Sequence, residues 1–239
     1  MGIRRMIVLI SAAVLATIGS VKAEDAPAAE TPAFDKSVLP TLYAEMDRRA
    51  TPGQYFEQCP ADIWRQSAWF GYRFIESPEV TYEECEADVF ACAAQCFDEQ
   101  SPEACFQTAR VIQENAPEAE QNRTHSMFAQ ACATGSAGGC TNRGAGMRNE
   151  GLVPKLLLEA PDQNGQTAEN ICLFRSFQLA CNEGDAWGCA MYGQTYDYGE
   201  GTPEDDAKAL ASYRQACAID PDFDACQYVK SRIERLEQR

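Results

Sequence analysis

Apolar and polar positions divide the chain into two unlike parts. The first is a single apolar run, Met6 to Ile18, behind Arg4 and Arg5 and ahead of Val21, Lys22 and Ala23. A basic start, a short apolar stretch and a small-residue end predict a secretory signal peptide over residues 1–23, because the run is shorter than the ~20 residues a membrane span needs. Residues 24–36, rich in alanine and proline, read as a disordered linker. From 37 to 239 the apolar positions recur at helical spacing. In "CAMYGQTYDYGEGTPEDDAKALASYRQAC", Gly193 and Tyr196 mark a first helix and Gly199-Glu200-Gly201 its turn. Thr202-Pro203 then starts a second helix, with Pro203 at its first position and Ala207, Leu210, Ala211 and Tyr213 facing inward. Helical caps are expected near residues 37–50 and 222–237, the latter ending on the polar "SRIERLEQR".

The cysteines supply a period. Cys96 to Cys132 and Cys181 to Cys217 are both 36 residues, and Cys189 to Cys226 is 37. Cys132 to Cys181 and Cys140 to Cys189 are each 49, so one repeat carries about 13 extra residues, placed in the loop-like "VPKLLLEAPDQNGQT". A period in the mid-thirties predicts an all-α solenoid of helix-turn-helix repeats. Gly144 and Gly151 repeat the pattern in the preceding unit, and Gly71 and Phe74 in a degenerate upstream copy; Trp64, Trp69 and Tyr72 read as core.

Twelve cysteines, all beyond the signal peptide, predict disulfides in an oxidising compartment. The repeat assigns eight of them: Cys96 with Cys105, Cys132 with Cys140, Cys181 with Cys189 and Cys217 with Cys226, each joining the end of a second helix to the start of the next first helix. Zinc is disfavoured, since no C-x2-C pair exists and the chain has one histidine. Cys59, Cys85, Cys92 and Cys172 lie outside the pattern and allow three pairings; Cys59 with Cys92, or with Cys85, is the expected one. Cys172 is left as a free thiol or a link to another chain.

Charge narrows the partners. Without Arg4, Arg5 and Lys22, 17 basic side chains face 36 acidic ones, a net charge of −19. Phosphate backbones and anionic lipid repel such a chain, so neither nucleic acid nor a membrane surface is an expected partner.

The glycine, the aromatic residue, the G-x-G turn, the "DAKA" helix and the terminal Ala-Cys together resemble the Sel-one-like repeat family, a relative of the tetratricopeptide repeats, and more narrowly its cysteine-rich secreted bacterial members. The resemblance covers residues 96–226 well, 61–95 loosely and 24–36 not at all. It implies a right-handed α/α superhelix, disulfide-stapled, that binds proteins or extended ligands in a concave groove. Some cysteine-rich members are linked to binding or hydrolysing β-lactams, and a similar eukaryotic member assists assembly of respiratory complexes.

Motifs for catalysis are missing from the sequence. None of the eleven serines has a lysine three residues on, and no K-T-G, H-E-x-x-H, G-x-S-x-G or phosphate loop occurs. His125, the only histidine, reads as a surface or packing residue, and Asp205-Asp206 as solvated helix-start charges. The expected function is therefore that of an exported, periplasmic or secreted, non-catalytic repeat scaffold for protein or peptide partners, without cofactor or metal. The alternatives are a β-lactam or peptidoglycan-fragment binder with weak β-lactamase activity, and an assembly factor for redox or respiratory proteins. If first helices line the groove, positions one, five, eight and nine after the second cysteine point into it, among them Phe106, Thr141 and Ala190. The candidates are Arg110, Gln113, Arg148, Asn149, Gln194, Asp197 and Tyr198, with Trp187 two residues before its cysteine; Arg110 and Arg148 are expected to pair partner carboxylates.

Overall fold

The computed structural model describes residues 34–49, 59, 61–62, 79–117, 120, 122–150 and 166–238. The signal-peptide expectation, residues 24–33 of the linker, Trp64, Trp69, Tyr72, the Gly71 and Phe74 copy and most of the inserted loop lie outside them. From Phe34 onward the chain forms one compact unit, and its described elements are helices: α1 Leu39–Arg49, α2 Tyr82–Ala87, α3 Val89–Asp98, α4 Pro102–Asn115, α5 Asn122–Thr134, α6 Ala137–Glu150, α7 Ala168–Asn182, α8 Ala186–Tyr198, α9 Asp206–Ile219 and α10 Asp224–Glu237. The linker ends earlier than expected. Phe34 packs on the core, and Asp35 caps a 3-10 turn over Lys36–Val38 by accepting from the Ser37 N–H.

Each repeat is built by the same local chemistry. Ser101, Ser136 and Asp185 stand four residues ahead of Cys105, Cys140 and Cys189 and accept the N–H groups of Ala104, Gly139 and Gly188, so a side-chain cap starts each of these first helices. The four predicted staples form, with Cα separations of 4.3–4.6 Å. So close an approach depends on small residues. A Cβ on Gly139 or Gly188 would lie 2.7 or 2.6 Å from the Cβ of Ala131 or Ala180.

Consecutive helices pack on one another from α2 to α10, and each first helix also touches the next: α4 with α6, α6 with α8, α8 with α10. The second helices α5, α7 and α9 each sit against two first helices. Buried rings four residues before a staple's first cysteine, Phe177 and Tyr213, lie on Gly144 and Gly193, where a Cβ would meet ring carbons at 2.7 and 2.5 Å. Gly193 thus admits Tyr213 from the second helix, rather than serving the neighbouring Tyr196 of its own helix.

Two sequence expectations need correction here. The second helix begins at Asp206, not at Pro203, because Asp205 caps it through the Lys208 N–H. Its inward face is Ala209, Ser212, Tyr213 and Ala216, while Ala207 and Ala211 are exposed. Tyr213 is buried and Leu210 packs against the core as expected, so only Ala207 and Ala211 are misplaced.

The remaining cysteines also differ from expectation. Cys59 pairs with Cys172 across 113 residues, and Cys85 pairs with Cys92 between α2 and α3. Cys59 with Cys92 or Cys85 is therefore wrong, and Cys172 is not a free thiol; no cysteine is free. A seven-residue spacing across the α2–α3 junction lets Cys85 and Cys92 meet locally, which leaves the long-range pair. Six disulfides fit an oxidising environment. Among the described residues no helix is long and apolar enough to cross a membrane.

Candidate functional site

First helices carry the candidate residues because their caps and staples hold them in one register. The structure brings most of the candidates on α6 and α8 together but leaves few of them open. Arg148 on α6 donates to Gln194 Oε1 on α8 at 2.7 Å, pairs with Glu200 at 2.5 Å and lies over the Phe177 ring at 4.7 Å. Gln194 donates onward to the Tyr228 hydroxyl on α10 at 3.3 Å, which also accepts from Arg232 at 3.0 Å. A polar ladder thus crosses three first helices.

Asp197 is drawn inside. Its Oδ2 accepts from the Tyr213 hydroxyl at 3.1 Å and pairs with Arg235 on α10. Burial and that carboxylate hold the Tyr213 phenol well above the usual tyrosine range. Trp187 stands 5.3 Å from Tyr228 and 6.4 Å from Phe223, ring centre to ring centre, and so packs between repeats. Tyr198, 51% exposed, remains accessible, as do Gln113 and Asn149.

Two corrections follow. Arg148 is committed to Glu200 and Gln194 and is not poised for a partner's carboxylate. Position one after the cysteine does not open outward: Ala190 is buried, Thr141 is buried and donates to Asp185 at 2.8 Å, and the Phe106 ring covers Gly138. His125 is a packing residue, buried against Gly146 and 6.2 Å from the Phe128 ring.

Arg110 sits apart from these, in the wall of a cavity of about 560 Å³ between the start of α2 and the face of α4. Its guanidinium lies 4.9 Å from the Tyr82 ring centre, pairs with Glu114 at 3.1 Å and donates to Gln107 at 3.4 Å. Gln107 is buried and in turn donates to Glu103 at 2.7 Å. Glu79 and Glu83 complete the acidic part of the lining. Burial raises the Glu103 carboxyl above its ordinary range, against the opposing pull of Gln107.

Sequence reasoning missed Glu79, Tyr82, Glu83, Glu103 and Gln107. One signal was available: Glu103 stands two residues before Cys105, as Trp187 does before Cys189. Arg232, Arg235 and Glu200 carried no such mark, since they enter the face from the capping helix and a turn. No family model matches the chain, and no curated protein matches it.

Proposed function

We propose that this protein is an exported, non-catalytic scaffold, a right-handed solenoid of disulfide-stapled α-hairpins that binds an extended protein segment along the row of first helices. The observation that carries this reading is the Arg148–Gln194–Tyr228 ladder, which links α6, α8 and α10 side by side, stepping back about one turn from each helix to the next. Contact between successive first helices, each also packed on second helices, supports the reading of a solenoid with a groove along its first helices. The disulfides support export, because such staples persist in oxidising compartments.

A photo-crosslinking side chain placed at Tyr198 tests it. In an extract of the compartment that receives the protein, this site should yield a discrete adduct that a probe at Ala211, exposed on α9, does not. Equal adducts at both sites, or none at Tyr198, reject the groove. Nitrocefin hydrolysis by the purified oxidised protein should be undetectable; measurable turnover would replace the scaffold with a hydrolase.

A further inference from the structure

We infer that the cavity between α2 and α4 is a seat for an alkylammonium cation, in the first instance the side chain of a lysine in the bound segment. This inference rests on the peptide-binding reading and gives it a chemistry. Three carboxylates, Glu79, Glu83 and Glu103, line the cavity against one cation, Arg110. Arg110 is already committed: it pairs with Glu114, stacks on Tyr82 and donates to Gln107. Among the described residues no basic side chain makes an ion pair with Glu79, Glu83 or Glu103.

Glu103 is the centre of the seat. It is half-withdrawn from water and makes no ion pair, so the Arg110 charge nearby offsets its burial only in part and an arriving cation is favoured. Gln107, 8% exposed and bonded to both Glu103 and Arg110, fixes the floor before any ligand arrives. The Tyr82 ring, with Arg110 stacked on it, gives an apolar wall for the aliphatic part of the side chain. A volume of about 560 Å³ suits an aliphatic chain with its head group and is far larger than a bare ion needs. Arg110 repels a second cation and so confines the ammonium to the Glu79, Glu83 and Glu103 side.

Calorimetric titration tests the seat with acetyl-tetralysine amide, with 1,5-diaminopentane as a free amine, and with acetyl-tetraglutamate as the opposite charge. Tetralysine should bind, tetraglutamate should not, and Glu103→Gln should weaken binding at least tenfold. Glu234→Gln, at an exposed carboxylate on α10, should leave it unchanged. Arg110→Ala should tighten it severalfold, a gain that a merely structural role would not produce. Diamine binding with the same dependence on Glu103, and no tetralysine binding, would keep the cation seat and assign it to a free amine. Equal affinity in the wild type and Glu103→Gln, or no binding of either amine, overturns the inference. If the Tyr198 adduct survives that result, only the cation seat fails; if tetralysine binds at Glu103 and no adduct forms, the groove fails instead.

Discussion

The N-terminal helices α2 to α4 and the C-terminal helices α6 to α10 use the same repeat differently. In the C-terminal part the charged groups of the first helices are consumed by the neighbouring repeat: Arg148 by Glu200 and Gln194, Asp197 by Arg235 and Tyr213. In the N-terminal part Arg110 pairs only within its own helix, and three carboxylates face a cavity. Polar residues at groove spacing are therefore of two kinds, and the next helix decides which. Where a neighbour supplies the opposite charge, the residue holds repeats together. Where none does, the residue pairs within its own helix or lines an open cavity.

The largest test of this contrast removes the bond that ties the segment before α2 to α7. Replacing Cys59 and Cys172 by serine should lower stability by about 4–5 kcal/mol on the loop-entropy estimate, against about 2–3 for removing Cys85 and Cys92. Urea unfolding reads both, and equal losses would refute the dependence on loop length. The second test separates the arginines. Arg148→Ala should lose about 2 kcal/mol, because it strands Glu200 and uncovers Phe177, whereas Arg110→Ala, at a half-exposed pair, should lose under about 0.5 kcal/mol. Similar losses would erase the distinction between a charge tied to the next repeat and one paired within its own helix.

The smallest effect concerns Asp185, the cap of α8. Burial raises its carboxyl above the ordinary range, against the lowering by the Gly188 N–H and the Thr141 hydroxyl. A folded pKa above the unfolded one means the native state holds the proton more tightly. Its contribution to stability therefore falls as pH rises through the interval between the two. Asp185→Asn keeps a capping acceptor and loses that titration. Its stability relative to wild type should increase with pH across the acid range and then level off; a flat difference in thermal melts would show that the carboxyl is not desolvated.

Much of the architecture was legible because it is local. A cysteine recurring at 36 or 37 residues with glycine or alanine beside the second member, and in three of the four staples a cap four positions before it, specifies a helix–turn–helix junction that closes over eight or nine residues. The helix face was harder to read. Pro203 is permitted at a helix start and suggested one, but the side-chain cap of Asp205 set the register, so the inward stripe moved from Ala207 and Ala211 to Ala209 and Ser212.

The sequence alone determined the repeat, the four short staples, the redox environment they fit and the identity of the residues that first helices present. Tertiary structure decided which of those residues are already paired, that Cys59 finds Cys172, and that Glu103 and Tyr82 share a cavity. The division follows chain length. Contacts within a dozen residues are dictated by local geometry and capping, while a contact such as that of Cys59 with Cys172, across 113 residues, depends on how neighbouring helices stack, and no spacing in the sequence encodes that.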